Sequence, residues 1–205
     1  AIDTPLDNGG GINLAWTPSA SPDIKEQRIY RSGTMGGPYT LVTTIINNTT
    51  STYTNTGLTN GTTYYYVIRA YDGTYESVNS NESSATPADN LAPVAPATLT
   101  AVDVAGDNGG AIVLSWTPST STDVVQQRIY RSLTTGGPYN LLTTIANNTT
   151  AAYTDTGLTN GTAYYYMIRA YDGTQESANS NQASATPVDN TAPAAPVSLS
   201  AADVV

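Results

Sequence analysis

The amino-acid sequence predicts an all-β chain: two tandem seven-strand antiparallel β-sandwiches, the first lacking most of its first strand. Three observations carry this. First, the chain repeats itself at an offset of 100 residues. Trp16 returns as Trp116, Tyr64-Tyr65-Tyr66 as Tyr164-Tyr165-Tyr166 and Asp72-Gly73-Thr74 as Asp172-Gly173-Thr174, with roughly two-thirds of all positions identical. Second, short apolar runs alternate with a period of two, turn signals part them about every 8–12 residues, and no segment sustains a 3.6-residue period. Third, charged residues are only 11% while Thr, Ser, Asn, Gly and Tyr abound, a composition unlike that of a disordered or a helical chain.

Repeat two is complete and sets the pattern. A proline-rich lead opens the strand Ala97–Val104. Ala111–Trp116 follows, with Ile112, Leu114 and Trp116 on one face, and then Gln126–Ser132. The Gly136-Gly137-Pro138 turn leads into Tyr139–Ile145, and Asn147-Asn148 breaks the chain before Ala151–Asp155. Thr162–Ala170 alternates Tyr164, Tyr166, Ile168 and Ala170 against Tyr165, Met167 and Arg169, and Asp172-Gly173 turns the chain into Glu176–Pro187. Repeat one shows the same elements from Ile12 onward. The boundaries read as 1–88 for the first domain, 89–190 for the second with a proline-rich linker at 87–96, and 191–205 as an extra copy of a first-strand segment.

Trp116 on the second strand, Leu158 before Asn160-Gly161-Thr162, and the Tyr-x-Tyr-x-Ile-x-Ala run at Tyr164–Ala170 resemble a fibronectin type III domain, a member of the immunoglobulin-like sandwiches. Leu58, Tyr64, Tyr66, Ile68 and Ala70 repeat the pattern, and the runs RIYRS, GGPY, GLTNGT and SATP are similar to the bacterial branch of that family. The resemblance implies that Tyr64 and Tyr164 form tyrosine corners, each hydroxyl bonded to main chain near the preceding turn. One departure stands out. Gln27 and Gln127 occupy the third-strand position where the family usually carries an inward aromatic residue, and Phe is absent.

Chemistry is sparse. No His or Cys is present, which removes the usual general base, thiolate nucleophiles, disulfides and zinc–cysteine sites. A glycosidase-like pair would be Asp72 with Glu76, and turn-opening and strand-starting roles account for the same two residues. The chain is therefore read as non-enzymatic. Net charge is −9 with only 7 unclustered basic residues, which argues against a nucleic-acid partner. No apolar run approaches the ~20 residues of a membrane helix.

Two kinds of site remain, and no other cofactor is expected. Asp89 and Asn90 in the linker, with Asp123 and Asp172 on loops of the second repeat, form a candidate Ca²⁺ site at the domain junction, to which Asp7 and Asn8 are near in the pattern. The Asp-Asn pair is equally a turn signal before proline. Surface glycans are a second partner class, attached at the Asn-x-Thr/Ser sites Asn47, Asn48, Asn60, Asn81, Asn147, Asn148 and Asn160, or stacked on the outward Tyr65, Tyr71 and Tyr165.

The phase of the repeat supplies the functional expectation. Ala201-Ala202-Asp203 falls where Ala101-Val102-Asp103 and Ala1-Ile2-Asp3 fall. The segment Val197, Leu199, Ala201 has the alternation to cover an open edge at Ile12, Leu14 and Trp16, antiparallel to it, in another copy of the chain. The contact is head-to-tail and builds a filament or surface fibre from an extracellular structural subunit. The competing expectation is a spacer or binding module excerpted from a longer tandem array or a secreted polysaccharide-degrading enzyme. Joining Val205 directly to another Ala1 makes the shared first strand several residues too long, which favours separate chains.

Overall fold

The structure, a computed structural model, describes residues 1–201. Residues 202–205, the end of the predicted donor segment, lie outside the described residues. The chain divides into two compact units, Ala1–Leu91 and Ala92–Val205. Each unit is a sandwich of a three-stranded and a four-stranded antiparallel sheet.

In unit 1, β1 (Ile2–Asp3), β2 (Ile12–Ala15) and β5 (Thr52–Asn55) form one sheet in that order. The other runs in the order β4 (Thr40–Ile45), β3 (Glu26–Ser32), β6 (Tyr64–Tyr71), β7 (Ser83–Ala85). In unit 2, β8 (Ala97–Asp103), β9 (Ala111–Thr117) and β12 (Ala152–Thr156) face β11 (Asn140–Ile145), β10 (Gln126–Ser132), β13 (Tyr164–Tyr171) and β14 (Ala183–Ala185). These are the seven strands expected for each repeat. The last is shorter than the predicted Glu176–Pro187. Glu176 makes a single bridge to Tyr171, and pairing resumes only at Ala183, because Ser177 and Ser180 spend their hydroxyls on the β13 amides of Ala170 and Ile168.

Alternation fills the cores. Ile112, Leu114, Ile129, Tyr166 and Ile168 are sealed between the sheets of unit 2, and Trp116 is 5% exposed. Unit 1 buries Ile12, Leu14, Ile29 and Tyr66 in the same places. Gln27 and Gln127, placed where an aromatic ring was expected, are buried because every polar atom is used. The Gln127 Oε1 accepts from Trp116 Nε1 at 2.6 Å, and its Nε2 donates to the carbonyls of Asn147 and Thr150. Gln27 does the same with Trp16, Asn47 and Thr50. Each glutamine ties the two sheets to a loop, so the position keeps a polar residue without an orphaned group.

The tyrosine corners are present: the Tyr64 hydroxyl accepts from the Thr59 amide at 3.2 Å and that of Tyr164 from Thr159 at 3.0 Å. Gly10 and Gly110 are required where they stand. Both have positive φ, their carbonyls accept from Leu58 and Leu158, and a Cβ would come within about 3 Å of the Leu58 or Leu158 carbonyl oxygen.

Candidate functional site

The outward face of the four-stranded sheet carries a charged cluster that recurs in both units. Arg28 on β3 lies directly across from Arg69 on β6, and Arg128 on β10 from Arg169 on β13. Like charges in that register repel. A carboxylate between them resolves it. Glu176 accepts from Arg128 at 2.7 Å, from Arg169 at 2.8 Å and from the Tyr130 hydroxyl at 2.5 Å. Glu76 takes the same bonds from Arg28, Arg69 and Tyr30. The guanidiniums in turn lie over tyrosine rings, Arg28 at 3.9 Å from the Tyr71 centroid and Arg128 at 3.7 Å from that of Tyr171. Sequence reasoning missed this cluster. Its signal was the recurrence of Arg and Tyr at alternate, outward positions of the third and sixth strands.

Burial alone would raise the pKa of Glu176, but the hydrogen bonds from Tyr130, Arg169 and Arg128 outweigh it and hold the carboxyl at about 2. An unfolded Glu titrates near ~4.3. The folded value is depressed, so the stabilisation is complete above the unfolded pKa and is lost as pH falls through about 2. Unit 2 should therefore melt at progressively lower temperature on acidification through this window. Glu176→Gln should flatten that slope in calorimetric scans, and an unaltered slope would assign acid sensitivity to other carboxylates.

Asp72 and Glu76 do not form a working acid pair. Asp72 accepts from the amides of Tyr75 and Thr74, which lower its pKa and build the turn, while Glu76 is the hub of the arginine cluster. The four residues read as a Ca²⁺ site fall in different units: Asp89 and Asn90 in unit 1, Asp123 and Asp172 in unit 2. Asp89 accepts from the Leu91 amide in a tight turn. Asn90 fastens its segment to Asp3, Thr4 and Asp7 of its own unit, as Asn190 does to Asp103, Val104 and Asp107. Asp172 Oδ1 caps Thr174 and Gln175. Among the described residues, no group of three or more His, Cys, Asp or Glu converges. Of the candidate glycan sites, Asn47 holds the amides of Thr49 and Thr50, Asn48 donates to the Ser19 carbonyl, and Asn60 accepts from Gly10.

The residues read as an acceptor edge, Ile12, Leu14 and Trp16, lie on or next to β2, which pairs with β1 and β5. Ile12 faces Asp3 and Asn13 faces Ile2. A groove of about 470 Å³ in unit 1 is lined by Ala1, Leu14, Trp16, Gln27, Tyr66 and Ile68 among others. Of the residues read as a donor strand, Val197 is 87% and Leu199 100% exposed, and Ala201 is exposed too.

No protein-family profile matches the chain. It is 31% identical, over 93% of its length, to exoglucanase B of Cellulomonas fimi, of which it spans only 17%. It shares 35% identity with a Fn3-like protein from Clostridium thermocellum, covering 45% of this chain and 91% of that one, with a TM-score of 0.40. A two-domain fibronectin type III segment of chicken tenascin aligns with 90% of this chain and 95% of its own at 19% identity and a TM-score of 0.51. With the sandwich topology, the inward tryptophans and the two tyrosine corners in place, this chain belongs to the fibronectin type III family, as a tandem pair of such domains.

Proposed function

We propose that the chain is a non-catalytic spacer module of a secreted polysaccharide-degrading enzyme, working outside the cell. The observation that carries this is the alignment with exoglucanase B, which takes in nearly all of this chain but under a fifth of that protein. Both units correspond to a small part of a large enzyme. The surface chemistry supports the reading. On the sheet face Glu76 and Glu176 are held in ion pairs, and the rings of Tyr71 and Tyr171 lie under guanidiniums.

An antibody raised against this chain tests the proposal on the native material. The expected result is a secreted band well above the size of this chain alone, carrying glycan-hydrolysing activity that survives deletion of these two units. A native band at the size of the chain itself, recovered from fibres, would replace this reading with that of a structural subunit.

A further inference from the structure

The arginines of the chain are not compensated alike. Arg28, Arg69, Arg128, Arg131 and Arg169 each meet a carboxylate at 3.2 Å or less. Among the described residues, Arg31 meets none. Its counterpart shows what differs. In unit 2, Arg131 reaches from β10 to Asp155 on β12, and both oxygens of that buried carboxylate accept from its Nη1. In unit 1 the same place holds Asn55, 6% exposed, whose Oδ1 accepts from Arg31 Nη1 at 3.0 Å and from the Tyr66 hydroxyl at 2.9 Å. The hydrogen bonds are kept and the negative charge is gone. A neutral amide satisfies a donor but leaves the half-buried guanidinium uncompensated, which is unfavourable where water is partly excluded.

A second difference lies beside the first. In unit 2 a groove of about 360 Å³ next to Arg131 is lined by Leu133, Leu141, Leu142 and Tyr164. Where unit 2 has Leu133, unit 1 has Gly33, and a Cβ built there would meet nothing within 4 Å. Tyr64 is half-buried, whereas Tyr164 is 7% exposed. The Arg31 guanidinium stands 5.1 Å from the centroid of the Tyr64 ring. All of this lies beside β5, at the edge of the three-stranded sheet away from β1. The arginine without a counter-ion is thus also the one with the wider approach.

We infer that Arg31 is an anion subsite of unit 1, and that its ligand is a carboxylate taken from solution. A planar guanidinium presents paired N–H donors that match the two oxygens of a carboxylate. Nη1 serves Asn55, and the edge formed by Nε and Nη2 makes no hydrogen bond among the described residues. That edge is the one the ligand takes. In unit 2 Asp155 already supplies the charge and Leu133 narrows the approach, so Arg131 is not a second such subsite. The inference concerns a ligand of unit 1 and stands apart from the spacer reading, which the size of the native protein decides.

The test uses the ¹⁵N-labelled 205-residue chain and follows the arginine Nε–Hε signals by NMR, that of Arg31 being assigned by its loss in Arg31→Lys. Sodium galacturonate, sodium acetate and inorganic phosphate are added in separate titrations at fixed ionic strength. A saturable shift of the Arg31 signal is expected with either carboxylate, while that of Arg131 stays in place. Tighter binding of galacturonate identifies the source as a sugar acid, and equal binding identifies a small free carboxylate. Asn55→Asp, the arrangement with which unit 2 already folds, should weaken binding at least about tenfold by setting a like charge beside the ligand. Gly33→Leu should weaken it without altering any charge, and Asp155→Asn should make Arg131 responsive. An Arg31 signal that does not move, or that drifts linearly together with Arg131, overturns the inference. So does a response unchanged by Asn55→Asp, or tighter binding of phosphate than of either carboxylate.

Discussion

Replacing Trp116 with alanine is expected to unfold unit 2 under conditions where unit 1 stays folded. The indole is 5% exposed and packs in a core of Leu99, Ile112, Leu114, Ile129 and Tyr166. Truncating a buried tryptophan costs about 3–5 kcal/mol, since the cavity only partly collapses. Here a second loss adds to it. Trp116 Nε1 is the donor to Gln127 Oε1, and Gln127 is 0% exposed, so its carbonyl loses its partner without reaching water, at about 1–3 kcal/mol. The sum rivals the whole stability of a small domain, about 5–15 kcal/mol. Trp16→Ala makes the same chemical change in a milder setting. Trp16 borders the groove and is only half-buried, and water can reach what the indole leaves. Calorimetry of the two variants should show the unit 2 transition displaced much further than that of unit 1. Equal displacements would show that β8 adds nothing to the burial of Trp116.

Asp155→Ala should be the next most damaging change, and Asp155→Asn should largely repair it. Asp155 is 2% exposed, accepts from Arg131 Nη1 at 3.1 and 2.9 Å and from the Tyr166 hydroxyl at 2.8 Å. Alanine leaves the hydroxyl of a completely buried tyrosine unpaired and strips Arg131 of its counter-ion. Breaking a buried pair costs about 3–5 kcal/mol, and because Arg131 is one-third exposed the lower end applies. Asparagine is tolerated because unit 1 already uses it: Asn55 accepts from Arg31 at 3.0 Å and from Tyr66 at 2.9 Å. Burial pushes the Tyr66 hydroxyl up to about 12, so it stays a donor through neutral pH. Urea titrations of the three proteins check this. An asparagine variant as unstable as the alanine one would mean that unit 2 depends on the charge and not on the hydrogen bonds.

Much of this was legible beforehand because the information is local. Period-two alternation marked Ile112, Leu114 and Trp116 as inward, and Asn-Gly, Asp-Gly and Gly-Gly-Pro marked where strands stop. The arginine cluster was not legible. Arg28 is far in the chain from Arg69 and Glu76, and only the register of β3 against β6 sets the two arginines opposite each other, which is what gives Glu76 its role. The end of the seventh strand was misjudged for a similar reason: the serines that interrupt it compete for amides on a neighbouring strand whose position the local pattern does not specify.

By itself, then, the sequence determined the fold class, the repeat and its phase, because side-chain alternation, turn chemistry and self-similarity act over short stretches and need no partner to be read. Tertiary structure alone decided how the glutamines at 27 and 127 are satisfied, and which residues of β2 face β1. These depend on which strands lie side by side and in what register, and register is set by the packing of a whole core against long-range hydrogen bonds, not by any one segment.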